Sequence, residues 1–140
     1  MNRPTPEAPL LQGCSQMGHN RLPGQQEGGW PLRHCPECMK LFEPKVVNQL
    51  FCKPAHNADW NNRATKRGRV LTPLGMVARI TRNGTRGTPE AREAGKTASS
   101  YYAALVQRYR DEDRAANDGQ GRMEWPAFMI LRILTGFDPL

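Results

Sequence analysis

Cys35, Cys38, Cys52 and His56 form two close pairs of soft, metal-competent side chains. They stand as C-x2-C, thirteen residues, then C-x3-H, within HCPECMKLFEPKVVNQLFCKPAH. Thiolates and a neutral imidazole are preferred zinc ligands, and two close pairs at this separation let four of them meet on one tetrahedral ion. A metal held by four protein ligands has no open position. It is therefore expected to build structure, and the chain is expected not to be an enzyme. His34, beside Cys35, is expected to stay outside the ligand set, and the C-x4-H pair Cys14 and His19 to hold nothing.

Elements must position these ligands. CPECMKLF reads as a tight turn carrying two thiolates and then a short strand; KVVNQLFC reads as a second short strand running into Cys52. Lys53-Pro54 opens a helix, proline being tolerated in the first turn, and that helix is expected to stop at Gly68. His56 lies one turn beyond Cys52, and Trp60, four residues later, falls on the same face and is expected to close the apolar side of the site. Thr72-Pro73 reads as an N-cap with an N1 proline, starting a helix with Leu74, Val77, Ala78 and Thr81 at helical spacing and ending at Asn83-Gly84. Thr88-Pro89-Glu90 repeats the device ahead of the stripe Ala98, Tyr101, Tyr102, Leu105, Val106 and Tyr109. A last apolar helix is expected over roughly 126–135.

The expected fold is mainly α with a small α+β zinc module: a treble-clef-like finger (knuckle, short β-hairpin, helix) followed by about three helices. Residues 1–31 hold five prolines and five glycines without a sustained period and read as a flexible arm. Residues 32–70 form the zinc module with its basic helix, and 71–140 the helical region. With 38% apolar residues and 25 Pro plus Gly in 140, one small core is within reach, and a metal would help to stabilise it. No basic stretch leads into an apolar one as in a signal peptide, and no apolar run, Phe128 to Leu131 included, is long enough to cross a bilayer. A cytoplasmic protein with no membrane partner is the expectation.

The net charge of +7 is unevenly placed: residues 57–87 carry seven basic groups against Asp59, so nearly all of the excess follows the fourth ligand. An anion-attracting stretch there points to DNA or RNA, with Arg63, Lys66, Arg67, Arg69, Arg79 and Arg82 as expected phosphate contacts. Asn57, Asn61 and Asn62 add amides able to reach phosphate or a base edge. These side chains do not share one clean face, so backbone binding rather than base reading is expected. A plain solvated basic face is the competing reading. From another class comes a zinc-stabilised adaptor that docks a protein through Tyr101, Tyr102, Tyr109, Trp125, Phe128 and Met129, whose simpler role is core between the last helices.

Enzyme readings fare worse. Zinc deaminases use H-x-E upstream of P-C-x-x-C, and Cys35-Pro36-Glu37-Cys38 lacks both the leading proline and any such His. FCKPAHN is similar to a segment of HNH-type nucleases, but neither His19 nor His34 lies beside an acid or a second His, as a catalytic metal would require. The acidic RDEDR run spreads its charges around a helix and reads as a solvated helix end.

CPECMKLFEPKVVNQLFCKPAH resembles the FCS-type (MYM-like) zinc fingers, whose pattern is CPxCGKxF, a hairpin, and FCSxxC. Phe51-Cys52 matches the FC step, and NADWNNRATKRGRVL resembles the basic continuation found in small bacterial and phage proteins. The resemblance covers roughly residues 34–72. It implies a structural zinc module used for nucleic-acid or protein binding, in a regulator of bacterial or phage origin, and no defined reaction. Two positions depart from the pattern. His56 replaces the fourth Cys and keeps a competent ligand; Met39 replaces a Gly, where a positive φ would be easier without a side chain.

Overall fold

The structure is a computed structural model and describes residues 30–136. The expected arm falls outside the described residues except for Trp30 and Pro31, and so does the Cys14/His19 pair. Two strands and three helices follow in the order β1 (Arg33–His34), β2 (Leu41–Phe42), α1 (Pro54–Ile80), α2 (Pro89–Ala115) and α3 (Trp125–Leu134). The described part is thus mainly helical with one small antiparallel hairpin. Among the described residues no helix is long and apolar enough to cross a membrane.

Among the described residues, 30–58 together with 122–136 form one compact unit, and Asp59–Gly121 forms a second. The expected boundary at 70/71 lies inside α1.

In the first unit, β1 and β2 pair with Arg33 opposite Phe42 and His34 opposite Leu41, so the hairpin is the cysteine knuckle itself. The expected second strand over KVVNQLFC is absent: residues 45–52 are turns, bends and irregular chain. Their backbone groups find side chains instead of a strand partner. Arg33 donates to the carbonyls of Val47 and Gln49 at 2.9 and 2.8 Å, and Gln49 accepts from the Lys45 amide and donates to the Phe51 carbonyl. Once these groups are satisfied, nothing drives them into a ladder. Pro36, Pro44, Leu50, Phe51 and Phe128 are the buried residues around which this unit closes, with Phe51 and Phe128 rings 6.5 Å apart.

The second unit is an antiparallel helical hairpin. Gly75 lies against Tyr102, Thr81 against Gly95, and Arg67 against Tyr109 and Asp113, a constant register that holds from end to end. Two expected helix breaks do not occur, since α1 runs unbroken through Gly68 and Pro73. Proline inside a helix costs about 3 kcal/mol and glycine about 1. Against that, Arg67 and Gly75 of α1 and Thr81 just past its end meet α2 on both sides of Pro73, and contacts spanning the proline outweigh a local fault. The hairpin turns where expected, with Arg82, Asn83 and Gly84 all at positive φ and the Asn83 amide bonded to the Ala78 carbonyl at 2.7 Å. Thr88 caps α2 as its sequence implies, accepting from the Ala91 amide at 3.1 Å. Helix α3 also lies where its apolar run places it.

Candidate metal centre

Cys35 and Cys38 sit on the knuckle, which is closed by the Cys35 amide donating to the Lys40 carbonyl (3.0 Å) and the Met39 amide to the Cys35 carbonyl (2.7 Å). Met39 takes φ +64°, the left-handed conformation that its position demands. Cys52 ends the 43–52 loop and His56 lies in the first turn of α1. One ligand atom from each of the four residues lies within 4.8 Å of all the others, close enough to hold one metal ion. Cys52 Sγ is 3.2 Å and Cys35 Sγ 3.7 Å from His56 Nδ1, and Cys38 Sγ is 3.8 Å from Cys52 Sγ. Cys35 is fully buried and the other three partly so.

The thiols respond to this crowding in opposite directions. Burial and the neighbouring Cys35 and Cys38 push Cys52 up to about 11. Burial also acts against Cys38, but the Lys40 backbone amide, the Cys52 and Cys35 side chains and the Lys40 ammonium outweigh it and hold Cys38 below the ordinary thiol value. A cluster in which one thiolate makes the next harder to form lacks a positive charge at its centre, and a bound cation supplies one.

His34 is exposed and its Nδ1 lies 2.8 Å from the Met39 carbonyl oxygen, outside the cluster as expected. Residues with no motif signal hold the site in place. Arg33 ties β1 to the loop that delivers Cys52, and burial lowers its pKa. Glu37 pairs with Arg122 at 3.7 Å, and the Met123 amide donates to the Pro36 carbonyl at 3.0 Å, clamping the knuckle from a segment more than eighty residues away in the chain. No local pattern marks these contacts, because each depends on a partner distant in sequence.

The expected phosphate contacts divide. Arg67 is bound internally, to Asp113 at 3.0 Å and Glu112 at 3.1 Å, with its guanidinium 4.7 Å from the Tyr109 ring centre. Arg63 stands over Trp60 at 5.6 Å and 4.0 Å from Asp113. Both are held by the carboxylates of RDEDR, so that run is not simply a solvated end: Asp113 is buried. Lys66, Arg69, Arg79 and Arg82 are exposed, as are Asn57, Asn61 and Asn62. Of the aromatic set, Phe128 is core and Tyr109 lies under Arg67, whereas Tyr101, Tyr102, Trp125 and Met129 are exposed. Trp60 is buried as well. No family model, curated protein or solved structure matches this chain.

Proposed function

We propose that Cys35, Cys38, Cys52 and His56 hold a structural zinc ion, and that the chain contacts the backbone of DNA or RNA through Lys66, Arg69, Arg79 and Arg82. Ligand spacing supports zinc. A tetrahedral ion with Zn–S of about 2.3 Å has S–S edges of ~3.8 Å, and Cys38 and Cys52 stand 3.8 Å apart. Knuckle, loop and a helix carrying the fourth ligand in its first turn also follow the order of a treble clef. With four protein ligands the ion has no vacancy for substrate, so we assign no reaction to it.

The observation that carries the nucleic-acid reading is the set of exposed cations on α1 and its C-terminal turn, which have no ion-pair partner among the described residues. Arg63 and Arg67 leave the contact set because Asp113 already engages them. A salt-series titration on mixed DNA and RNA tests the reading. Affinity should fall steeply with salt, and replacing the four cations by alanine should reduce the log–log slope by roughly 3–4. Binding that is unchanged by these replacements would leave the basic stretch as a solvated face.

A second reading has its own support. Trp125, Met129, Ile130, Ile133 and Leu134 leave α3 with substantial exposed apolar surface. That surface suits an adaptor docking a protein partner. The salt titration separates the two, since an apolar interface has little dependence on salt.

A further inference from the structure

Helix α2 closes the hairpin of its own unit with one stripe: Gly95, Tyr102, Tyr109 and Asp113 meet α1. A different stripe, Glu90, Ala94, Thr97, Tyr101, Ala104 and Arg108, is exposed at every position. Its steps alternate between four and three residues, the period at which one helix face meets another helix. Tyr101, 60% exposed, is the large residue at its middle. It forms one wall of an open groove of about 520 Å³ whose other walls are Pro73, Leu74 and Val77 of α1 and Ala94, Thr97 and Ala98 of α2, with Glu93 at its edge.

The stripe is its own complement. Read antiparallel against itself about a two-fold axis near residue 99, it sets Glu90 against Arg108, Ala94 against Ala104 and Thr97 against Tyr101. The two alanines let the helices approach closely. Tyr101 of the opposite copy falls at the level of Thr97, where the groove offers it an apolar bed. A parallel reading would set Glu90 on Glu90 and Arg108 on Arg108, which repel. Among the described residues neither Glu90 nor Arg108 has an ion-pair partner in its own chain.

We propose that this chain pairs with a second copy of itself through the outer stripe of α2, antiparallel about a two-fold axis, with Glu90 facing Arg108 of the other copy at both ends and Tyr101 seated in the other copy's groove. Such an interface is isologous, so each contact occurs twice and each single change is felt twice. The inference stands apart from the nucleic-acid reading, since it uses none of the cations assigned to phosphate.

Sedimentation equilibrium of the full chain, loaded with zinc, tests it. The unmodified chain should reach a monomer–dimer equilibrium. Glu90→Arg and Arg108→Glu should each weaken dimerisation about tenfold, through two lost attractions and two new repulsions. The double variant E90R/R108E should restore it, because the pairs re-form with reversed sign. Tyr101→Arg should abolish the dimer while helix content and zinc content stay as in the parent. A chain that stays monomeric at every concentration would overturn the proposal. So would a dimer indifferent to the single reversals, which would place the interface elsewhere, or a folded double variant that fails to regain the dimer.

Discussion

The Arg33 guanidinium donates to the Gln49 carbonyl at 2.8 Å, and through that bond the knuckle holds the loop that delivers Cys52 to the ligand cluster. A second bond from the same nitrogen, to the Val47 carbonyl at 2.9 Å, leaves the loop little freedom. Hydrogen bonds from a charged donor contribute about 1.5–3 kcal/mol, and supports of this kind commonly tune metal affinity by roughly 10–100-fold. Arg33→Met, which keeps the aliphatic stem, should therefore weaken zinc binding by at least tenfold in competition with a chromophoric chelator. Unchanged affinity would show that the loop holds its position without Arg33.

The purified protein should carry one equivalent of zinc, lost on Cys35→Ser, as metal analysis would show. Because the Cys52 thiol lies near 11 without metal, it is protonated at neutral pH, and zinc must displace that proton. Uptake at pH 7 should release at least one proton per ion, seen as a buffer-dependent calorimetric enthalpy. The sign follows: affinity rises with pH and falls on acidification, as protons compete for the ligands. Metal uptake with no proton release would contradict this account of Cys52.

Arg67 and Asp113 are only 11% and 12% exposed as side chains, and their pair also holds the Arg67 pKa above its usual value against the opposing effect of burial. Removing one partner of such a pair leaves the other charge poorly solvated. Asp113→Ala should cost roughly 3 kcal/mol of stability, measured by denaturant unfolding. The double replacement with Arg67→Met should recover part of that loss.

A Cβ added at Gly95 would clash with Thr81 Oγ1 and would meet the Gly84 Cα at 2.9 Å. The second neighbour is backbone and cannot rotate away. Gly95→Ala should therefore destabilise the hairpin by about 1–3 kcal/mol, although alanine is the better helix former. A stabilising effect in thermal unfolding would mean that the two helices can separate at no cost.

Met39→Gly should act in the other direction. A non-glycine residue in the left-handed region costs about 1–2 kcal/mol, and Met39 adopts φ +64°. Relief of that strain is partly offset by the extra freedom of glycine in the unfolded chain. The net gain should be about 1 kcal/mol, visible as a raised melting temperature of the zinc-loaded protein.

Much of the centre was legible in the chain. The pairing of Cys35 with Cys38 and of Cys52 with His56, the turn around Cys35 and Cys38, the helix start at Pro54 and the Thr88 cap all follow from residues a few positions apart, where local chemistry acts alone. The 45–52 segment reads as a strand because of Val46, Val47, Leu50 and Phe51, while the groups that take up its hydrogen bonds, Arg33 and Gln49, carry no mark of that role. Gly68 and Pro73 look like breaks for the same reason: their cost is local, whereas the α1–α2 contacts that override it are not.

Which four residues converge, and that their charge-rich continuation is helical, can be read from the chain alone, since spacing and capping are short-range properties. Which cations stay exposed depends on long-range packing. Arg67 and Arg69 are indistinguishable in the sequence, yet one turns toward Asp113 and the other toward water. A partner forty-six residues away makes that choice, and its distance is set by how α1 and α2 fold back on each other.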